Sequence, residues 1–200
     1  MQPIYKGKYL HFFRAPNGWE YVQRPKAQAG IAIIAVTCEG RLLLVEQYRT
    51  AVSKTVIELP AGLVEPEQDA NSAVRAELRQ ETGYTCAKAV PICEGALSPG
   101  LVNETNIMYR VYGVRRADSS RSDKVERGII RHGLTRGNRG EPERIQTWEV
   151  PVDDVPRWLE KRRKAGAIID MRIYASLHFL RGREAAKRIR LSPPADRAAP

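Results

Sequence analysis

The chain has 200 residues with a formal net charge of +10, and 42% of its residues are hydrophobic. This length suits one domain with additional short segments, and the hydrophobic fraction is sufficient for a sizeable core. There is no run of about 18 apolar residues, and the N-terminus lacks the apolar core of a signal peptide, which argues against a membrane span and against secretion. The three cysteines are odd in number and have no metal-ligand spacing, which predicts a cytoplasmic protein without disulfides.

The N-terminal residues predict a β-hairpin arm over 1–28. Residues 4–13 and 19–24 alternate and carry aromatic side chains, and the turn signal Ala15-Pro16-Asn17-Gly18 lies between them. After the arm, short apolar runs predict strands at 31–37, 41–47, 56–59, 86–97, 106–114 and 145–150. Helical spacing predicts helices at 70–79, at 152–164 and after a capping Asp170. Strands and helices mixed in this order predict an α/β sandwich for 29–182.

The positive charge is concentrated in two segments. Residues 116–142 are rich in Arg, Ser and Gly without a clear period, which predicts an inserted basic loop. Residues 183–200 are basic and then rich in Pro and Ala, which predicts a disordered tail. Such charge would suit phosphate-bearing ligands or nucleic acid. Because both segments also have the composition of solvated loops and tails, we do not expect nucleic acid as a partner.

The segment 58–84 carries the main chemical signal. Gly62 is predicted in a loop that leads into the helix, and Glu77 and Glu81, four residues apart, lie on one helical face. Adjacent carboxylates repel each other, and a hard divalent cation such as Mg²⁺, usual beside phosphates, removes that repulsion. On spacing alone, a solvated acidic face near a helix end explains the pair equally well.

The same segment resembles the Nudix box, a glycine followed at fixed spacings by a glutamate and then by Arg-Glu-apolar-x-Glu-Glu-x-Gly-apolar. Six positions are in register with it without a gap: Gly62, Glu77, Leu78, Glu81, Gly83 and Tyr84. Three positions depart, where a glutamate, an arginine and a second glutamate are replaced, in that order, by Gln68, Ala76 and Gln80. Within the superfamily the chain resembles the ADP-ribose (ADP-sugar) pyrophosphatases over roughly residues 7–181.

The resemblance implies a Nudix α/β/α sandwich with a mixed sheet and an N-terminal hairpin arm. It also implies a metal site formed by Glu77, Glu81 and the carbonyl of Ala61, with Mg²⁺, or alternatively Mn²⁺, as the ion. The missing carboxylate at Gln80 implies weaker binding of any second or third ion. The missing arginine at Ala76 removes a cation that orients the glutamates.

In the ADP-ribose pyrophosphatases that the chain resembles, the adenine is stacked between two aromatic rings of the arm, one from each subunit of an intertwined homodimer. Tyr9 and Trp19 fall on those positions, although both rings could instead cover the dimer core. Arg49, in Gln47-Tyr48-Arg49, matches an arginine that can hold a diphosphate bidentately, and Arg24 is a weaker candidate of the same kind.

Two glycines are further candidates for substrate binding. Gly62 is the first position of the box, and Gly100, in Ser98-Pro99-Gly100, resembles the loop that lines the ribose pocket, where glycine permits close backbone approach. A general base is implied on a loop before the last strand. Glu143 aligns best with it and Glu141 is its neighbour; a base on a mobile loop could close over bound substrate.

The sequence therefore predicts a metal-dependent hydrolase that cleaves the diphosphate of ADP-ribose, or of a related nucleoside diphosphate sugar, to a nucleoside monophosphate and a sugar phosphate. In this hypothesis Glu81 and Glu77 hold the ion and Glu143 accepts the proton of the attacking water. Another nucleotide sugar, such as GDP-mannose, is an alternative substrate. A nucleotide-binding module with impaired catalysis is the alternative that the three departures favour and the retained glutamates oppose.

Overall fold

The computed structural model describes residues 1–25, 27, 29–117, 124–126, 129–132, 135–136 and 144–181. Within them the helices are α1 (Ala70–Thr82), α2 (Val155–Lys164) and α3 (Met171–Arg181). The strands are β1 (Tyr5–Lys6), β2 (His11–Arg14), β3 (Glu20–Gln23), β4 (Ala29–Thr37), β5 (Arg41–Arg49), β6 (Lys54–Glu58), β7 (Ala61–Val64), β8 (Tyr84–Thr85), β9 (Lys88–Ala96), β10 (Thr105–Arg116), β11 (Lys124–Glu126), β12 (Ile129–Arg131), β13 (Thr135–Arg136), β14 (Arg144–Pro151) and β15 (Ile168–Ile169).

Strand β4 lies at the centre of a mixed sheet. It pairs in parallel with β10 and antiparallel with β5 and β7, and β5 in turn pairs with β6 and β14. Alternate side chains of β4 point to opposite faces. Ile31 and Ile33 share one hydrophobic cluster with α1, whereas Ala32 and Ile34 share the other with α2 and α3. The predicted α/β/α sandwich with a mixed sheet is therefore confirmed.

Helix α1 begins and ends where its sequence provides caps. The Asp69 side chain accepts a hydrogen bond from the backbone nitrogen of Ser72 at 2.9 Å, and Gly83 ends the helix with a φ of 77°. Leu78 is fully buried in the cluster beneath the helix. Glu81 follows it by three residues, so the helical period brings this carboxylate to the buried side of α1.

The arm departs from the predicted simple hairpin. Strands β2 and β3 pair as expected across the turn at 15–18. The prediction of one strand over 4–13 is wrong, because β1 folds back onto β2 through a turn in which the Gly7 nitrogen donates to the Leu10 carbonyl. The arm contacts the rest of the chain where Val22 nitrogen donates to the carbonyl of Leu101 at 2.8 Å.

Two further expectations about irregular segments are corrected. Gly62 is in strand β7, which pairs with β4, and not in a loop. The predicted loop over 116–142 contains β11, β12 and β13, of which β12 and β13 pair with β14. The proposed bases Glu141 and Glu143 and the tail 183–200 lie outside the described residues. Within the described part of the chain, no helix has the length and apolar character needed to cross a membrane.

Candidate active site

A cavity of about 660 Å³ lies between the arm, the edge of β7 and helix α1. Seven of the residues predicted for the site line it: Tyr9, Arg24, Arg49, Ala61, Gly62, Glu77 and Glu81. Tyr9 and Arg24 belong to the arm, and Arg49 is the last residue of β5. The others are in strand β7 and helix α1. The fold therefore brings together side chains that are far apart in the sequence.

The carboxyl groups of Glu77 and Glu81 meet strand β7 side by side. Glu81 Oε2 accepts a hydrogen bond from the backbone nitrogen of Ala61 at 3.0 Å. Glu77 lies against Gly62 so closely that a Cβ at that position would come within 3.0 Å of its carboxyl group. Any larger residue at position 62 would therefore displace the Glu77 carboxyl group, whereas the backbone angles do not demand glycine, since the φ of Gly62 is not positive.

Burial makes Glu81 a poor anion unless a cation is near. The pKa of the Glu81 carboxyl is raised to about 8, with burial as the largest cause; the negative charges of Glu77 and Glu58 also raise this pKa, whereas the donating Ala61 amide and the Arg49 cation lower it. A divalent cation between the two carboxylates would favour their ionised forms. The oxygen-only chemistry of the Glu77 and Glu81 carboxylates fits a hard ion of this kind, for which one or two protein carboxylates are usual. Among the described residues, no three His, Cys, Asp or Glu side chains are grouped as a metal site.

Glu58, the last residue of β6, lies between the acidic side of the pocket, with Glu77 and Glu81, and its basic side, with Arg49. It is buried, and its Oε2 accepts hydrogen bonds from Arg49 Nε at 2.7 Å and from Gln47 Nε2 at 3.0 Å. Arg49 is held at the pocket wall by this pair. Arg172 of α3 approaches the same carboxylate, with its Nη2 3.7 Å from Glu58 Oε1.

The arm contributes two of its predicted residues to the cavity and leaves one outside. Tyr9 lines the pocket, and Arg24 lines it while donating through Nε to Glu104 Oε2 at 3.1 Å. Trp19 and Gly100 do not line this pocket; they contact each other, with Trp19 Nε1 donating to the Gly100 carbonyl at 3.0 Å. The structure therefore brings these two together at a neighbouring surface of the same chain.

A buried polar network fixes the end of α1 against β14. Glu149 Oε1 receives the hydroxyl of Tyr84 and lies 2.7 Å from His132 Nε2. Thr147 Oγ1, two residues before Glu149, donates to the carbonyl of Glu81 at 2.9 Å. Burial and the bond to Glu149 raise the pKa of Tyr84, so its hydroxyl remains a donor. This network holds the backbone of Glu81 in place.

The model of one protein family, described as the NUDIX domain, matches residues 26–169, with the carboxylate pair and its glycine inside the matched region. The chain belongs to the Nudix hydrolase family. Members of this family generally use a divalent metal. Family membership therefore supports the interpretation of Glu77 and Glu81 as ion ligands over that of a solvated acidic face.

Relatives extend the similarity beyond the matched domain. The chain is 27% identical to the ADP-ribose pyrophosphatase of Bacillus subtilis over 192 residues, which is 92% of this chain and 91% of that protein. It is 29% identical over 176 residues to the methanol dehydrogenase activator of Bacillus methanolicus, covering 86% of this chain and 83% of the relative. Among solved structures, one described as an ADP compounds hydrolase superposes with a TM-score of 0.53 at 13% identity, covering 78% of this chain and 80% of that chain. This last likeness shows the shared fold.

The three departures from the Nudix box all lie on the pocket wall. Gln68 Oε1 accepts a hydrogen bond from the backbone nitrogen of Glu65 at 3.2 Å. The neutral amide oxygen of Gln68 therefore accepts a hydrogen bond within the segment before α1, and a charged carboxylate is not needed for this bond. Ala76 and Gln80 line the pocket beside Glu77 and Glu81 and leave the pocket face of α1 without a cation.

Sequence reasoning did not assign roles to Glu58 or Arg172. A usable signal existed for each. Glu58 lies between the apolar residues Ile57 and Leu59 in a strand that the sequence predicts, so a charged side chain there is expected to be either paired or functional. Arg172 is basic in the first turn of a helix, where the helix dipole disfavours a cation and a carboxylate partner is therefore expected.

Proposed function

We propose that this Nudix hydrolase cleaves the diphosphate of ADP-ribose, or of a closely related nucleoside diphosphate sugar, to AMP and ribose 5-phosphate or the corresponding sugar phosphate. The observation that carries the proposal is the placement of Glu77 and Glu81 on the Ala61–Gly62 backbone, opposite Arg49, in one cavity. The similarity to an ADP-ribose pyrophosphatase over nearly the whole chain supports this choice of substrate.

The residues divide the chemistry between them. Glu77, Glu81 and the Ala61 carbonyl would hold Mg²⁺, or Mn²⁺ in its place, which supplies polarisation of a phosphoryl oxygen and acidification of a water. Arg49 would bind the diphosphate and offset its charge. The oxygen of water forms a bond to phosphorus, the bridging P–O bond breaks, and the two products each carry a phosphate. Glu143 remains our predicted acceptor of the water's proton, with Glu141 as its neighbour.

The arm is part of the same proposal. In the single chain, Tyr9 is 55% exposed and Trp19 is 58% exposed to solvent. Large aromatic side chains with this exposure typically mark a surface that binds a ligand or a partner. We infer a homodimer in which the arm crosses to the partner subunit and these rings stack on the base. Gly100, whose carbonyl holds the Trp19 indole, would lie at the same subsite.

A substrate screen tests the proposal directly. ADP-ribose, ADP-glucose and GDP-mannose are incubated with the chain and Mg²⁺ or Mn²⁺, and the phosphomonoesters released are converted to inorganic phosphate by alkaline phosphatase. Intact nucleoside diphosphate sugars carry no terminal phosphomonoester and resist that phosphatase, so phosphate appears only after cleavage. We expect the highest kcat/KM with ADP-ribose, and almost no release by the Glu81→Gln variant.

Two results would contradict the proposal. A preference for GDP-mannose would assign the enzyme to another nucleotide sugar. Binding of ADP-ribose by calorimetry without release under any metal would instead indicate a nucleotide-binding module, the function that the departures at Gln68, Ala76 and Gln80 favour.

A further inference from the structure

Arg172 is a partly buried cation next to the active site. It lies in the first turn of α3, where the partial positive charge of the helix end disfavours a cation. Only 16% of its side chain is exposed, and it lines the pocket. An arginine withdrawn this far from solvent is stabilised by carboxylate partners. Arg172 has two, Asp170 on its own segment and Glu58 on strand β6.

Backbone pairing sets the position of Arg172 relative to Glu58. Strand β15 runs parallel to β6 with Ile169 opposite Ile57, and the nitrogen of Asp170 continues the ladder by donating to the Ile57 carbonyl at 2.9 Å. Asp170 then caps α3, because its Oδ1 accepts from the backbone nitrogen of Arg172 at 2.8 Å. Its Oδ2 accepts from Arg172 Nε, also at 2.8 Å. The guanidinium is therefore held in one orientation beside the end of β6.

The two oxygens of Glu58 have different partners. Oε2 accepts from Arg49 Nε at 2.7 Å and from Gln47 Nε2 at 3.0 Å. Oε1 lies 3.7 Å from Arg172 Nη2. An arginine and a carboxylate form their strongest pair when two parallel N–H groups meet both oxygens. Arg172 stands at the oxygen that Arg49 would need to form such a pair.

We propose that Arg172 is a positioning residue of the active site, which acts by holding its positive charge beside Oε1 of Glu58, at an ion-pair distance too long for a hydrogen bond. Arg49 is then anchored to Glu58 through Nε alone, and its terminal amino groups stay available to the diphosphate of the substrate. Without Arg172, Oε1 has no second cation beside it, Arg49 closes a two-oxygen pair with Glu58, and the pocket loses affinity for the diphosphate. This inference rests on the proposed function, because it assumes that the pocket binds a nucleoside diphosphate through Arg49.

A double-mutant cycle on diphosphate binding tests the inference. The probe is inorganic pyrophosphate with Mg²⁺, and its Kd is measured by calorimetry for the wild type and for Arg172→Met, Arg49→Gln and the double variant. We expect Arg172→Met to raise the Kd about tenfold, which corresponds to about 1.4 kcal/mol. In the Arg49→Gln background the same substitution should have no effect, since its action passes through Arg49. Arg172→Lys should restore part of the affinity, because an ammonium can still hold its charge beside Oε1.

Two controls separate positioning from a general structural role. Arg157→Met removes one arginine from the surface of α2, where its side chain is 90% exposed, and should leave the Kd unchanged. Thermal unfolding is followed for every variant, because a merely structural role would lower the unfolding temperature of Arg172→Met without coupling to Arg49. If Arg172→Met does not fold, Arg172→Gln, which retains a donor for Asp170, takes its place in the cycle.

Several outcomes would overturn the inference. These are an unchanged Kd in Arg172→Met, full additivity of the two substitutions, and a folded wild type that does not bind pyrophosphate. ADP-ribose hydrolysis is measured separately, so that the two proposals can fail independently. Coupling without hydrolysis would support the positioning role and refute the proposed substrate. Hydrolysis without coupling would refute the positioning role alone.

Discussion

The approach of Glu77 to Gly62 predicts a large effect for one added methyl group. A Cβ at position 62 would lie within 3.0 Å of the Glu77 carboxyl carbon and Oε1, a distance that real Cβ atoms essentially never show. In Gly62→Ala the carboxyl group must therefore leave its place on strand β7. Because the φ of Gly62 is not positive, alanine causes no backbone strain and the effect falls on the Glu77 side chain.

The cost to folding and the cost to metal binding should differ in size. Over-packing a well-filled site costs about 1–3 kcal/mol, and the flexible Glu77 side chain can turn away, so we expect the lower end of that range. For a chain of this size each kcal/mol lowers the Tm by roughly 2–4 °C. Two unit charges 4 Å apart attract by about 4 kcal/mol at an intermediate dielectric. If the displaced Glu77 carboxylate loses even a third of this attraction to the ion, the Mg²⁺ concentration at half-maximal rate rises about tenfold.

The assay is a Mg²⁺ titration of the initial rate of ADP-ribose hydrolysis, combined with thermal unfolding. Gly95→Ala is a matched control, because Gly95 is also in a strand and nothing lies within 4 Å of an added Cβ there. We expect a rightward shift of the titration for Gly62→Ala and none for Gly95→Ala. Superimposable curves for Gly62→Ala and the wild type would refute the assignment of Glu77 as a metal ligand.

Three further predictions concern the same site and the arm. Glu81→Gln keeps an oxygen for the Ala61 amide and replaces a buried carboxyl, whose ionisation burial disfavours, by a neutral amide. We therefore expect an unfolding temperature at or above that of the wild type and a loss of at least about a hundredfold in kcat. Turnover near the wild-type value at saturating Mg²⁺ would exclude Glu81 as a ligand. Gln80→Glu adds a carboxylate to the pocket face of α1 and should lower the Mg²⁺ requirement several-fold, whereas identical titrations would place Gln80 beyond the reach of the ion. The exposed rings of Tyr9 and Trp19 predict a dimer, and light scattering that gives a monomer mass at micromolar concentration would contradict it.

Local patterns in the sequence were sufficient for much of the fold. The alternation and apolar runs predicted the central strands, because each strand buries side chains on both faces of the sheet. The spacing of Glu77 and Glu81 placed both carboxylates on one face of α1, since four residues are about one helical turn. Asp170 was predicted to cap α3 and does so. These features depend on neighbours within a few residues along the chain.

The features that were missed depend on contacts between distant segments. Gly62 is in a strand because β7 pairs with β4, and nothing in the residues around Gly62 indicates that partner. Two of the short strands within 116–142, β12 and β13, likewise depend on pairing with β14, and β11 depends on pairing with β12. His132 has no neighbouring His, Asp or Glu in the sequence that would suggest a role, yet it meets Glu149 across two strands. A single sequence gives periodicity but not strand partners, so such contacts could not be inferred from it.

The departures from the Nudix box are consistent with a working site when the whole pocket is considered. The amide oxygen of Gln68 supplies the acceptor that the segment before α1 needs. The cation missing at position 76 would have stood on α1, but Arg49 and Arg172 bring positive charge to the pocket from β5 and α3, and both contact Glu58. Because Coulomb interactions depend on distance and not on which element carries the charge, these two arginines can balance the buried carboxylates. The motif is then degenerate in sequence, but Arg49 is close enough to lower the pKa of Glu81 and thereby favour its ionised form, which is why we expect the site to hydrolyse its substrate.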